Sequence, residues 1–300
     1  MKKKTYLFAL MTMALTLGSC SNNEDGIGGE TSKYITVSTS IGNMTRVATD
    51  AKGGQTFEEG DEISVYAWTG APTVAPETSE RVVNNAINKL TNGTWVSTPQ
   101  MLWKNNHEKH YFIGVYPTAA ISDLSAGEYT FDVNKQTESD LLVAVNPDGL
   151  SYSADAQQIV PLTFTHVMAK LAVNLTYKNQ WGGIPTVEKV VVGNAAKEAT
   201  INYLTKVVTP STTAKEDFSL PEITENTKYV SVIIPQEDVK QLTIVIGGKN
   251  FVYDNGTPFK LESGKITTVN LEVGRDEIKL RDVKITNWED GSTFSGEALN

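Results

Sequence analysis

Polar and apolar residues begin to alternate at Tyr34. Ile35, Val37, Thr39 and Ile41 interleave with Tyr34, Thr36, Ser38 and Ser40, the period of two that a half-buried strand requires. Runs rich in β-branched and aromatic residues recur at 62–68, 109–117, 128–133, 140–145, 187–193, 228–235, 265–273 and 277–286. The stretch "IVPLTFTHVMAKLAVNLTY" at 159–177 predicts one long strand. At 240–253, "KQLTIVIGGKNFVY" predicts a hairpin, because Gly247-Gly248 can take the positive φ of a two-residue turn. Pro and Gly punctuate nearly every junction, and no repeat of fixed period is present. The pattern predicts an all-β protein of two β-sandwiches in tandem, residues 34–159 and 160–300.

Composition agrees with that size. The 300 residues leave room for two cores, and 40% hydrophobic with 20% charged residues is a globular balance. The net charge is −9 and no basic block follows Lys2–Lys4, which excludes a nucleic-acid partner, since phosphate neutralisation supplies most of that affinity. Those lysines precede "TYLFALMTMALTLG", an apolar run too short for a comfortable bilayer span, so residues 1–19 read as a secretory signal. The run ends in Leu17-Gly18-Ser19-Cys20, which resembles the lipobox of bacterial lipoprotein precursors. Such precursors carry a diacylglyceryl group on the cysteine sulfur and usually a further acyl chain on its amine. Two lipid signals hold a protein firmly where one holds it marginally. Cys20 is the only cysteine, so no disulfide supports the fold. Residues 20–33 read as a flexible polar tether; Glu24 and Asp25 resemble an acidic surface-export signal, or are simply part of a solvated linker.

Catalytic patterns are scarce. His107-Glu108-Lys109-His110 has histidines three apart rather than four, with no third ligand nearby, so it does not form the zinc motif of metalloproteases. His166 lies within a strand and reads as a hydrogen-bonded structural residue. The acids Glu58, Glu59, Asp61 and Glu62 read as a solvated turn entering a strand. Trp68, Trp95, Trp103, Trp181 and Trp288 could form a sugar-stacking platform, although packing is the more usual use of Trp at strand ends. No G-x-S-x-G, P-loop or G-x-G-x-x-G is present. The expectation is a protein that is not an enzyme, with no metal and no cofactor.

Five stretches in order resemble the fimbrillin family of type V pilus subunits, including its Mfa-like branch. "TFEEGDEISVYAW" carries Phe57, Gly60, Asp61, Ile63, Val65 and Tyr66, and "HYFIGVYP" carries His110, Phe112, Tyr116 and Pro117. "LTFTHVMAKLAVNL" supplies Phe164, His166, Ala169, Lys170 and Leu171. "VIIPQ" adds Pro235 and Gln236, and "GKITTVNLEV" followed by "ITNWEDG" adds Trp288 and Gly291. The resemblance implies two transthyretin-like sandwiches exported to the outer membrane as a surface lipoprotein. It also implies that a trypsin-like protease cuts shaft subunits after an Arg in the loop following the first strand, which frees a groove for a strand of the next subunit. Arg46, before Val47, lies where that cut would fall.

Strand addition has a plain physical basis. A sandwich missing a strand exposes unpaired backbone groups over an apolar floor, a liability that assembly can use. Burying Ile35, Val37 and Ile41 would hold the first strand by about 5–9 kcal/mol as an upper figure. Two roles stay open. One is a fimbrial subunit that joins other subunits by strand exchange after processing; the other is an unprocessed lipoprotein serving as a tip or accessory adhesin for a host or glycan ligand.

Overall fold

The computed structural model describes residues 33–42 and 57–288. In the first half of the chain the strands are β1 Thr36–Ile41, β2 Glu62–Thr69, β3 Val83–Thr91, β4 Thr94–Thr98, β5 His110–Tyr116, β6 Gly127–Thr130 and β7 Leu142–Leu150. Then come β8 Ile159–His166, β9 Ala169–Tyr177, β10 Val187–Ala196, β11 Glu198–Asn202, β12 Val207–Pro210 and β13 Lys215–Ser219. The last are β14 Glu222–Thr224, β15 Lys228–Ile233, β16 Gln241–Ile246, β17 Lys249–Asp254, β18 Lys265–Val273 and β19 Ile278–Asn287. Among the described residues the only helical pieces are two single 3₁₀ turns, Thr78–Glu80 and Asn179–Trp181. The protein is all-β, as its period-two patterning predicts.

Four sheets result. A seven-stranded sheet runs β1-β8-β7-β5-β2-β3-β4, a five-stranded sheet β14-β15-β9-β18-β19, a four-stranded sheet β13-β10-β16-β17 and a three-stranded sheet β12-β11-β6. The central strands of the seven-stranded sheet are buried on both faces. In β2, Ile63, Val65 and Ala67 enter one core while Tyr66 and Trp68 enter another. Phe112 and Ile113 of β5 divide in the same way, as do Ala144 and Val143 of β7. This explains why β2 reads as a near-continuous apolar run, since a strand covered on both sides has no water-facing position. The smaller core lies on the face lined by Ile35, Val37, Met101, Leu162 and Phe164. The larger one joins the other face to β9, β10, β15, β16 and β18.

The single strand expected over 159–177 is two. Val160, Leu162, Phe164 and His166 are buried at even positions, whereas Ala169, Leu171, Val173 and Leu175 are buried at odd ones. Two consecutive buried residues, Val167 and Met168, absorb the change of phase. There the chain leaves the seven-stranded sheet: Val167 N–H donates to Leu141 O (3.0 Å), and the carbonyl of Met168 accepts from Gly264 N–H (2.8 Å). The hairpin of β16 and β17 forms as expected, with Gly247 and Gly248 at φ 58° and 72°. A second hairpin, β3–β4, turns at Asn92-Gly93 with φ 51° and 72°.

Candidate functional site: the first strand and its groove

β1 forms an edge of the seven-stranded sheet by parallel pairing with β8, in a register running from Thr36 opposite Ile159 to Ile41 opposite Phe164. Its other side is gripped at the N-terminal end. Ile35 N–H donates to Met101 O (3.0 Å) and Trp103 N–H donates to Lys33 O (3.2 Å). Further along, the Trp95 indole of β4 donates to Thr39 Oγ1 (3.0 Å). Strand β1 therefore lies between β8 and the β4 side, closing the smaller core. Ile35 and Val37 are buried, at 2% and 7% exposure, while Ile41 is half-buried against the same core. Ser40 donates to Thr163 Oγ1 (3.2 Å), and Gly42 N–H to Phe164 O (2.8 Å), fixing the far end.

The chain re-enters the described region at Phe57. Its ring meets Trp95, Tyr116 and Phe164 edge-on, at centroid distances of 5.3, 5.3 and 5.1 Å, the arrangement aromatic quadrupoles favour. Gly42 and Phe57 thus both touch Phe164. Arg46 and Val47 belong to the segment between these anchors and lie outside the described residues, as does Cys20.

The other sequence candidates are structural. Both ring nitrogens of His110 are engaged: Nε2 accepts from Lys104 N–H (3.1 Å), and Nδ1 faces Glu108 O (3.2 Å). Burial pushes its pKa down, favouring the neutral ring that this pairing needs. His166 Nδ1 lies 2.7 Å from Asp140 Oδ1. Its ring stacks on Trp288 at 4.1 Å, and Lys170 Nζ sits 4.1 Å from the centre of the same indole. Trp68, Trp95, Trp103 and Trp288 are each at most 8% exposed, so the five tryptophans do not make an exposed stacking platform. In the acidic turn, Asp61 Oδ2 accepts from Glu58 N–H (2.7 Å) and Glu62 pairs with Lys89 (3.1 Å). Glu59 accepts from the N–H groups of Asn92 (2.8 Å) and Gly93 (2.6 Å). Among the described residues no three metal-ligating side chains cluster, and no helix is long and apolar enough to cross a membrane.

The feature that stands out in this all-β fold is an edge strand, β1, lodged over the smaller apolar core. The model of the family described as fimbrillin-like matches residues 45–288, and the chain belongs to that family. No curated protein matches the chain. Among solved structures it is similar to a candidate cell adhesion protein from Bacteroides ovatus, with a TM-score of 0.62 and 18% identity over 85% of this chain and 98% of that one. A candidate cell adhesion protein from Bacteroides uniformis gives 0.60 and 17% over 85% and 99%. The tip fimbrial protein Mfa3 from Porphyromonas gingivalis, truncated at its C-terminus, gives 0.50 and 11% over 77% and 95%. At these identities the likeness is one of fold.

Proposed function

We propose that this protein is a subunit of a cell-surface fimbria, exported as an outer-membrane lipoprotein acylated on Cys20 and joined to other subunits by β-strand addition. Its two transthyretin-like sandwiches divide in the neighbourhood of β8. Proteolysis between Arg46 and Val47 would release β1 together with the lipid, and the vacated groove would accept a strand from a neighbouring subunit. The observation that carries the reading is the lodging of β1. It is an edge strand paired in parallel to β8, with two apolar side chains buried in the smaller core.

Energetics support a strand that stays until cut. Ile35 and Val37 are each worth about 1.5–3 kcal/mol on burial, so together they hold β1 by roughly 3–6 kcal/mol before backbone hydrogen bonds are counted. Ile41 adds less than a full burial would, because it stays half-exposed. Since Gly42 and Phe57 both sit at Phe164, a cut between them removes a covalent link while leaving the packing of either side in place. Cleavage would then make departure of β1 irreversible without itself unfolding the body.

N-terminal analysis of protein sheared from cells tests this. A mature chain beginning at Val47, with ladders on unheated gels, is the expected result. An intact acylated Cys20 in every molecule would sink the shaft role and leave the protein as an anchored tip or accessory subunit.

A further inference from the structure

Strand β1 is held differently on its two sides. Toward β8 it has a parallel ladder, from Thr36 opposite Ile159 to Ile41 opposite Phe164. Toward β4 it has no ladder among the described residues. The seven-stranded sheet ends at β1 on one side and at β4 on the other, and the backbone bonds that face the β4 side stop at Ile35. What β4 offers instead is a side chain. The Trp95 indole donates from Nε1 to Thr39 Oγ1 (3.0 Å). Trp95 is 8% exposed and belongs to the smaller core, and the ring of Phe57 packs edge-on against it at 5.3 Å. Phe57 lies on the body side of Arg46 in the chain, so a cut there leaves the indole its neighbour.

A ladder alone reads little. Sliding a strand along β8 by two residues restores the ladder apart from its ends and keeps the same side chains inward, so β8 does not fix the register. The indole does. The inward face of β1 carries Ile35, Val37, Thr39 and Ile41 in that order, the first two buried and the last two half-buried. Ile35, Val37 and Ile41 meet the smaller core, whereas Thr39 meets an N–H donor. Slid by two, Val37 or Ile41 would lie against that N–H and shield it from water without accepting from it. An orphaned donor of this kind costs more than the bond itself contributes. A carboxylate at the same place would accept the bond but bring a charge to the border of the core, a cost that a hydroxyl does not carry.

We propose that the groove of β1 selects its strand by this pattern. The occupant it fits is an extended segment of another subunit, running parallel to β8. That segment has apolar residues at the seats of Ile35, Val37 and Ile41 and a serine or threonine at the seat of Thr39. Trp95 is then a specificity-determining residue, and β1 is the resident copy of the pattern it reads. The proposal rests on the reading that the groove is refilled after β1 is cut away, and it adds the direction, register and side-chain chemistry of the strand that refills it.

The test uses the full chain carrying Arg275→Lys and Arg281→Lys, cut after Arg46 with an arginine-specific protease while the β1 fragment stays in place; Arg81 is buried. Peptides are added in excess, and replacement of the fragment is followed to equilibrium by native mass spectrometry. The first peptide has the sequence of residues 33–42. The second carries Thr39→Val, the same shape without the hydroxyl. The third carries Val37→Thr with Thr39→Val, which keeps the composition and moves the hydroxyl by two residues. The first should replace the fragment, and the other two should bind about fivefold or more weakly. In a Trp95→Phe chain the donor is gone, so the first and second should bind within about twofold of each other; retention of the fragment before peptide is added verifies that this chain is folded. Equal or tighter binding of the Thr39→Val peptide to the unaltered chain would overturn the proposal. So would an undiminished preference in Trp95→Phe, or failure of the first peptide to enter. The N-terminal analysis of sheared protein tests the refilling itself, so a failure there and a failure here are told apart.

Discussion

Replacing Ile35 by Ala tests whether β1 is a packed lid. Ile35 is 2% exposed and sits in the smaller core, with its own N–H bonded to Met101 O. The substitution leaves that hydrogen bond and the β8 ladder in place, so the cost is transfer plus cavity, about 2–4 kcal/mol. In the intact chain the loss appears as a lower unfolding midpoint. The sharper assay cuts the chain first, with an arginine-specific protease in an Arg275→Lys, Arg281→Lys background, so that the fragment ending at Arg46 is held only by β1. Its release after dilution is followed by native mass spectrometry. If the side chain is withdrawn before the transition state for release, 2–4 kcal/mol converts to release roughly thirty- to several-hundredfold faster. Release within threefold of the parent rate, from a variant whose body remains folded, would refute the reasoning. It would show that backbone pairing and not apolar burial retains the strand.

Three other outcomes follow from the same structure. Glu59→Ala removes the carboxylate that gathers the Asn92 and Gly93 N–H groups, and should cost about 1–2 kcal/mol by denaturant titration. Gly114→Ala would bring a Cβ within 2.6 Å of Phe164 Cζ in the middle of β5, so a loss of about 1–3 kcal/mol and slower accumulation in cells are expected. His110 titrates lower in the fold than in the unfolded chain, where the ordinary value is about 6.5. Over that window the unfolded state binds more protons, so stability falls as pH drops below about 6.5 and recovers as it rises; His110→Gln should flatten the slope of midpoint against pH between 7.5 and 5.

The class of fold was legible because strand patterning is local, but the sheet order was not. β1 pairs with β8 across more than a hundred residues, and nothing local in either strand names the other. The break at Val167-Met168 was nevertheless written in the chain. Val160, Leu162 and Phe164 keep one parity and Ala169, Leu171 and Val173 the other, so a single strand would have turned half of them to the wrong face. The β3–β4 hairpin carried the strongest short-range hairpin signal, Asn92-Gly93. It is obscured because β3 is polar, "VNNAINKLT", and kinks where Asn85 takes φ 58°. Among the motifs behind the family resemblance, "FTHVMAKL" and "ITNW" look independent in sequence. In the fold His166, Lys170 and Trp288 meet in one stack, where the chain passes from the seven-stranded to the five-stranded sheet. Their co-occurrence in this chain thus has a packing cause.

Strand β1 and the segment that grips it differ in how far the sequence could reveal them, and the difference is physical. The strand β1 was readable because its apolar residues lie two apart within one element, and burial follows from that alternation alone. The grip on its other side was not, since Met101, Trp103 and Trp95 have unremarkable neighbours and meet Ile35, Lys33 and Thr39 only once the chain is folded. Yet the two are joined mechanically. The segment 101–103 holds β1 with its backbone while Met101 and Trp103 send their side chains into the smaller core. If β1 leaves, Lys33 and Ile35 no longer pin that segment, and the smaller core must loosen around Met101 and Trp103. The Trp103 indole should accordingly shift its ¹⁵N resonance and exchange its proton faster in the chain that has been cut at Arg46 and freed of β1; an unchanged Trp103 signal before and after release would refute that link.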